Sequence, residues 1–396
     1  MKVVILNNDF RAYWKGRLVY LHQSMATQGV SIFAVELFGK GSPYAFDTVN
    51  AGNDWWSCLF PDKSADELPK EEIKKSIFLA LDKINPDVII APSIVFYAGA
   101  LGIAWAKKRR RKFVMFDDAR PAQVKRNFVV QWVKNLITSK ADAFWLPTKS
   151  YDSAYANFKQ QGLHYFYGFA CINNELFKRS PGTPPAGKII ICVARLVSIK
   201  NIDGLLAAWK IVEQQNTGYR LLIVGDGPEG AKLKQQMQAL KLSTVEFADA
   251  VDNNTLPAYF AQAEAFILPS FSETWGLVVN EAMAAGLPVL LSRTVNAATD
   301  LLQGGQNGFG FDAFDTNDIA AAILKYTGLD DATKAKMSEN SLAVIGGMSY
   351  EKMAAQLIAA LAVIIAKPYK SPGIVGAAII SNWHGRYNTS GWDKLL

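Results

Sequence analysis

Ser270-Phe-Ser-Glu-Thr-Trp-Gly-Leu-Val-Val-Asn-Glu-Ala-Met-Ala-Ala-Gly-Leu-Pro-Val-Leu-Leu-Ser292 reads in succession as loop, helix, glycine turn and buried strand. Just before it, the apolar run Ala265 to Leu268 reads as a strand whose end delivers Glu273. Leu277 to Ala285 reads as a helix, stopped by Gly286 and Pro288. Glu273 and Glu281, with seven residues between them, therefore flank a helix start. At helical rise that spacing spans at most ~12 Å with a net rotation of ~80°, so the pair faces one cleft but does not grip one atom. A long polyhydroxylated ligand suits such carboxylates. Between them, the free N–H groups of Gly276 and Leu277 open the helix, and such amides with their dipole favour a phosphate.

Outward from this stretch, short β-rich runs alternate with helical ones. In the second half they are Lys188 to Val193, Arg220 to Val224, Val245 to Phe247, Ala265 to Leu268 and Val289 to Leu291. In the first half they are Val3 to Leu6, Ile32 to Leu37, Val88 to Ala91, Phe113 to Phe116 and Ala143 to Leu146. This is the rhythm of parallel, doubly wound α/β sheets. Ser180-Pro-Gly-Thr-Pro-Pro-Ala-Gly187 is the clearest linker, so residues 1–182 and 187–370 are read as two domains and 371–396 as a tail. Ser42 to Asp66, rich in aromatics among Gly, Pro and Asn, reads as irregular structure, packed as a long loop or offering sugar-binding platforms.

Three upstream stretches extend the pattern: Ile189-Ile-Ile-Cys-Val-Ala-Arg-Leu-Val-Ser-Ile-Lys-Asn201, Leu221-Leu-Ile-Val-Gly-Asp-Gly-Pro-Glu229, and Leu256-Pro-Ala-Tyr-Phe-Ala-Gln-Ala-Glu-Ala-Phe-Ile-Leu-Pro269. With the Glu-x7-Glu spacing, residues 187 to 310 resemble the retaining nucleotide-sugar glycosyltransferases of the GT-B architecture, most closely glycosyltransferase family 4. The resemblance implies two Rossmann-like α/β/α domains facing across a cleft. It also implies a tail that crosses back to the first domain, and domain closure about the linker to exclude water. By resemblance, Glu273 hydrogen-bonds hydroxyls of the donor sugar and Glu281 those of the ribose. Ionised carboxylates accept from two neighbouring hydroxyls at once. The donor-binding set implied is Gly16, Arg195, Lys200, Glu273, Trp275, Gly276, Leu277 and Glu281, and the catalytic set Glu273, Arg195, Lys200 and Asp117.

Arg195 and Lys200 follow the first strand of the second domain, at the carboxyl edge where open α/β sheets bind ligands. They read as neutralising a diphosphate whose charge grows as the donor bond breaks, the alternative being a surface Arg and Lys in a capping loop. No metal and no cofactor is expected on this account, because cations and helix amides take the place of a divalent ion. Gly225-Asp-Gly-Pro-Glu-Gly230 spells the dinucleotide fingerprint, but Pro228 and Glu229 put a rigid turn and a negative charge where a pyrophosphate approaches. Near the start, Gly16 beside Lys15 stands where the family carries adjacent glycines that touch the diphosphate, or is a simple loop glycine. Asp117 occupies the place of the family's histidine, where it orients an acceptor hydroxyl, stabilises charge on the sugar ring, or caps a helix. His22 is read as packed or solvated on the first helix.

The chain has 396 residues, half of them hydrophobic, enough for two cores. The longest apolar stretch, Met353 to Ala366, is only 14 residues and contains Gln356, so it reads as covering a sheet rather than crossing a membrane. Three distant cysteines, Cys58, Cys171 and Cys192, imply a reducing compartment. Met1 to Asp9 is too short in apolar residues for a secretory signal and reads as the first strand. A cytoplasmic location follows as the expectation.

Net charge is +7, with six consecutive cations at Lys107 to Lys112. That run is a solvated helix end or, with the basic amphipathic stretch Gln123 to Ile137, an attachment to an anionic membrane on its inner face. No nucleic-acid motif accompanies it. Expected partners are a nucleotide-sugar donor and a glycan, lipid-linked or small-molecule acceptor. Two rivals stand beside the transferase: a catalytically silent carbohydrate-binding or scaffold protein, and a nucleotide-sugar epimerase.

Overall fold

The computed structural model describes residues 1–11, 13–41, 53–120, 127–179 and 187–385, which form two α/β units. The first comprises Met1–Ala170 and the chain from Tyr350 onward, and the second Cys171–Ser349.

In the first unit the order is β1 (Lys2–Asn7), α1 (Trp14–Ala26), β2 (Ser31–Phe38), β3 (Trp56–Phe60), α2 (Lys70–Ile84), β4 (Val88–Pro92), α3 (Tyr97–Lys108), β5 (Lys112–Phe116), α4 (Phe128–Thr138), β6 (Ala143–Leu146), α5 (Ala156–Lys159) and β7 (His164–Tyr167). The strands form a seven-stranded sheet in the order β3-β2-β1-β4-β5-β6-β7, with parallel neighbours. Its central strands are continuous apolar runs, Val-Val-Ile-Leu in β1 and Val-Ile-Ile-Ala in β4, because helices cover both faces of a parallel sheet.

The second unit runs α6 (Asn174–Phe177), β8 (Ile189–Val193), α7 (Ile202–Gln214), β9 (Arg220–Val224), α8 (Gly230–Ala239), β10 (Val245–Ala248), α9 (Leu256–Gln262), β11 (Ala265–Leu268), α10 (Leu277–Ala284), β12 (Val289–Ser292), α11 (Ala298–Leu301), β13 (Gly308–Phe311), α12 (Thr316–Thr327) and α13 (Asp331–Ile345). Its sheet is six-stranded and parallel, β10-β9-β8-β11-β12-β13. The helices are legible from their caps and apolar faces. Asp315 accepts from the N–H groups of Asn317 and Asp318 to open α12, and α7 buries Leu205, Trp209 and Val212 against β8 and β9 side chains.

The chain then returns to the first unit as α14 (Tyr350–Ala366) and α15 (Gly373–Asn382). Met353, Leu357, Leu361 and Ile364 of α14 are buried, and the helix packs on β7 and α1, so this apolar stretch covers a sheet as its composition implies. By length and composition alone, the combined run Asp331–Ala366 also passes as a membrane span, which buried core helices do too. Further on, the Trp383 indole donates to Ile94 O at 2.7 Å.

Several expectations need correction. The chain leaves the first unit at Ala170 and re-enters at Tyr350, rather than at 182 and 371. Residues 180–186 of the anticipated linker lie outside the described residues, as do 42–52 of the anticipated loop, 121–126 and the tail beyond 385. Trp56–Phe60, expected to be irregular, is a strand pairing with β2. Strands β7 and β13 were not anticipated, each being four residues long, and β13 alternates glycine with phenylalanine. A Cβ at Gly308 would lie 1.8 Å from Val289 O, so glycine lets β13 approach β12.

Candidate functional site

In the second unit the strand order reverses between β8 and β11, and a doubly wound sheet opens its crevice at such a switch point. The loop after β8 carries Arg195 and Lys200, and the loop after β11 carries Glu273. The two loops are joined: the Phe271 N–H donates to Ile199 O at 2.9 Å. Lys200 Nζ forms an ion pair with Glu273 Oε1, and the Ser270 hydroxyl donates to the same oxygen at 2.9 Å. Both charged side chains are partly exposed, at 20% and 13%. Arg195 is exposed beside them in sequence. A cation and a carboxylate from opposite sides of the crevice are thus in contact.

Asn201 holds this arrangement and was not singled out by its sequence. It is 2% exposed and left-handed, with φ 55°, and its Nδ2 donates to Pro269 O at 3.2 Å and Ala313 O at 2.8 Å. One side chain therefore ties the loops after β8, β11 and β13 together. Asparagine suits the position because it tolerates the left-handed region and carries two donors.

The glycine-rich turn after β9 also serves this region. Leu196 N–H donates to Asp226 O at 2.9 Å, and Glu229 N–H donates to Leu196 O at 3.0 Å. A Cβ on Gly225 would lie 2.0 Å from Ala194 O, and one on Gly227 2.4 Å from Leu196 O. These glycines let the turn press on the Arg195 loop, which accounts for the dinucleotide-like spelling without a dinucleotide.

Helix α10 starts at Leu277, as its sequence implies, behind Gly276 at φ 96° and ψ 62°. The approach to it is fixed from the loop after β12. Asn296 Nδ2 donates to Thr274 O at 2.9 Å, Ala297 N–H to Trp275 O at 3.0 Å, and the Thr294 hydroxyl to Ser270 O at 2.9 Å. Trp275 is 1% exposed and its indole N–H donates to Asn280 Oδ1 at 2.9 Å, so its ring packs inside and offers no donor-facing surface. Glu281, 1% exposed on α10, is likewise more enclosed than an acid sharing an open face with Glu273. The two carboxylates differ in setting: Glu273 is partly exposed and ion-paired, and Glu281 is buried on α10.

Three first-unit expectations change in the same way. Gly16 is helical, within α1, rather than in a loop, and a Cβ there would lie 2.3 Å from the Tyr350 hydroxyl. Its missing side chain makes room for α14 within the first unit. Among the described residues, helix α4 is capped by Asn127 rather than Asp117, the Asn127 side chain accepting from Val129 N–H at 2.9 Å. Instead Asp117 Oδ1 accepts from Ala119 N–H at 3.0 Å, closing the turn after β5. Burial pushes its carboxyl above the usual range, against the Ala119 N–H, Lys134 and the hydroxyls of Tyr155 and Ser93. These groups line a cavity of ≈ 50 Å³ with Met115, Gln131 and Thr138. That is room for at least one water.

Two of the six cations of the run are internal. Lys107 and Lys112 are buried with Asp142, at 3.0 and 3.7 Å, while Arg109 pairs with Asp82 and Arg111 with Asp87. Lys112 also donates to Pro368 O at 3.0 Å. His22 stacks on Trp55 at 4.1 Å, packed as expected.

Residues 173–344 match the family model of "Glycosyl transferases group 1". An uncharacterized glycosyltransferase of Haemophilus influenzae is 32% identical over 137 residues, 34% of this chain and 38% of that protein. D-inositol 3-phosphate glycosyltransferase 2 of Catenulispora acidiphila is 31% identical over 165 residues, 39% of this chain and 38% of that one. The matched stretch thus spans less than half the length of these curated relatives. Among solved structures, sucrose-phosphate synthase from Thermosynechococcus elongatus superposes with a TM-score of 0.71 at 18% identity, over 92% of this chain and 99% of that one. Anabaena HepE in complex with UDP superposes at 0.70 and 18%, over 92% and 100%. Neither the silent scaffold nor the epimerase is favoured by these likenesses. The second unit, with its switch-point loops and its Glu-x7-Glu segment, is similar to the group 1 glycosyl transferases over residues 173–344, and the chain has the GT-B fold.

Proposed function

We propose that the protein is a retaining glycosyltransferase that moves a hexosyl unit from a nucleoside-diphosphate sugar to an acceptor hydroxyl in polysaccharide or glycoconjugate biosynthesis. The observation that carries this reading is the contact of Lys200 with Glu273 at the switch point of a group 1 domain. In the proposal the diphosphate lies by the amino end of α10, whose unpaired N–H groups favour an anion. It draws on Lys200 and Arg195, while Glu273 accepts from the sugar hydroxyls and Glu281 from the ribose.

As the bond from the anomeric carbon to the phosphate oxygen breaks, the electron pair leaves with the diphosphate. Fixed cations stabilise that growing charge more than the ground state. The acceptor oxygen bonds to the same face of the carbon, and its proton passes to the departing phosphate oxygen. The reading needs no metal and no cofactor. It places the protein in the cytoplasm, on the inner face of an anionic membrane.

HepE, a fold neighbour, is known in complex with UDP, which makes UDP the first ligand to try. Melting is to be followed with UDP, GDP and ADP, and donor turnover by release of the diphosphate. A ligand at a hundred times its Kd adds about 2.7 kcal/mol, a shift of roughly 5–10 °C for a unit of this size. No shift with any nucleotide, and no turnover of any donor, sinks the reading.

A further inference from the structure

Two exposed apolar features of the first unit lie side by side. On α4, Phe128 is 81% and Trp132 52% exposed, and Val129 and Val130 beside them are also exposed. On the first turn of α15, Ile374 is 93% and Val375 67% exposed. Phe128, Trp132 and Leu136 stand at i, i+4 and i+8, one row along one helix face. That row leads to α15, where a Cβ on the buried Gly376 would lie 4.0 Å from Leu136 Cδ2 and 3.5 Å from Lys140 Cε. The aromatic row and the aliphatic turn are therefore continuous through Leu136, over roughly 12 Å of α4.

At the α15 end the surface is cationic. Lys107 and Lys112 meet Asp142, and Lys140, Lys367 and Lys370 act on the same locus. Burial and then its neighbours Lys107, Lys140 and Lys367 hold the Lys370 ammonium below its ordinary pKa, although Asp142 opposes them. Lys107 and Lys112 are buried on Asp142, so the partly exposed cations there are Lys140, Lys367 and Lys370. Arg110 adds a further cation, its guanidinium 5.1 Å from the Tyr369 ring centre.

We propose that the row Phe128–Trp132 of α4, the first turn of α15 and the partly exposed Lys140, Lys367 and Lys370 form one docking surface for an anionic lipid bilayer. Phe and Trp rings settle at headgroup depth, aliphatic side chains enter the acyl boundary, and lysines meet lipid phosphates on their flexible stems. A second copy of the chain fits less well. Two copies of this face would bring their cationic rims together and repel. The inference rests on the membrane-side location proposed above and deepens it: it keeps the α4 face of the anticipated Gln123–Ile137 stretch, adds the first turn of α15, and takes its cations from Lys140, Lys367 and Lys370.

The test is co-sedimentation with vesicles of phosphatidylcholine alone or mixed with phosphatidylglycerol. Three double variants accompany the wild type: Phe128→Glu with Trp132→Glu, Ile374→Glu with Val375→Glu, and Lys367→Glu with Lys370→Glu. All these side chains have surface exposure, so unchanged melting is expected and is checked by circular dichroism. Wild type should partition onto the anionic vesicles at least tenfold better than onto neutral ones. Each variant should lose tenfold or more of that partition. Variants that bind as well as wild type overturn this surface while leaving membrane attachment standing. A wild type that ignores anionic vesicles overturns both, and the nucleotide melting shift reports separately on the transferase reading. A dimer that Phe128→Glu disperses makes the face a contact between copies and overturns the lipid assignment.

Discussion

Replacing Asn201 by alanine removes the side chain that joins three loops of the second unit. Pro269 O and Ala313 O lose the Nδ2 donor that reaches them at 3.2 and 2.8 Å, and each buried carbonyl left without it costs about 1–2 kcal/mol. Alanine must also adopt φ 55°, at about 1 kcal/mol. The sum is about 3–5 kcal/mol, a fall in melting temperature of roughly 6–20 °C at about 2–4 °C per kcal/mol. Asn201→Gly keeps the left-handed backbone and should recover about 1 kcal/mol of that loss.

A neighbouring glycine gives a sharper version of the same test. A Cβ on Gly204 would lie 2.3 Å from Asn201 Oδ1. Gly→Ala inside a helix ordinarily stabilises by about 1 kcal/mol, but here Gly204→Ala should destabilise the wild type and stabilise the Asn201→Gly background. Calorimetry of the four proteins measures the reversal. If Gly204→Ala stabilises both backgrounds equally, or Asn201→Ala melts with the wild type, the clip has no structural role and the reasoning fails.

Arg195→Ala and Lys200→Ala should each lower turnover about 10²-fold or more with the fold intact, measured as diphosphate release; near-normal rates in both would refute their role. Gly276→Ala forces a Cβ at φ 96°, 3.3 Å from Val295 Cγ1, and should cost about 1–2 kcal/mol by thermal denaturation. Gly16→Ala should destabilise the first unit because its Cβ meets the Tyr350 hydroxyl, and Tyr350→Phe should relieve much of that loss; equal melting with and without the second change argues against the contact. Asp142→Asn leaves Lys107 and Lys112 buried without their carboxylate and should cost about 3–5 kcal/mol in chemical denaturation. Burial raises the Glu36 carboxyl above its ordinary 4.5, although Phe10 N–H and Arg11 pull the other way. The folded protein therefore binds the proton more tightly than the unfolded one. Stability falls as pH rises from 4.5 through the raised value, and Glu36→Gln should flatten that fall in a pH series of melting curves.

The strands that position the site were readable because each is an unbroken apolar run between polar turns. Arg220–Val224, Ala265–Leu268 and Ala143–Leu146 fall where their sequences put them, and α10 begins at Leu277. What escaped was set by contacts across long separations. Nothing local in Ser198–Asn201 says that Lys200 pairs with Glu273 or that Asn201 reaches Ala313, 112 residues on. The same holds for Gly16, whose meaning lies in Tyr350, and for the cations whose carboxylate, Asp142, comes thirty residues or more later. Composition reported their charge but not that much of it is turned inward. Trp275 shows the opposite case: its sequence neighbourhood is that of a ligand site, and its packed ring was not legible there.

Because α14 follows the whole second unit, the first is completed only after the 179 residues from Cys171 to Ser349 (349 − 171 + 1) have left the ribosome. At 5–20 residues per second that delay is roughly 10–40 s. Throughout it, strand β7 at the sheet edge, with Tyr165 and Phe166, lacks the helix that packs on it. Such a bare edge invites mispairing with other nascent chains. A polypeptide cut just after α13 would keep that exposure for good, so the second unit is better produced by starting the gene near Cys171 than by trimming its distal end.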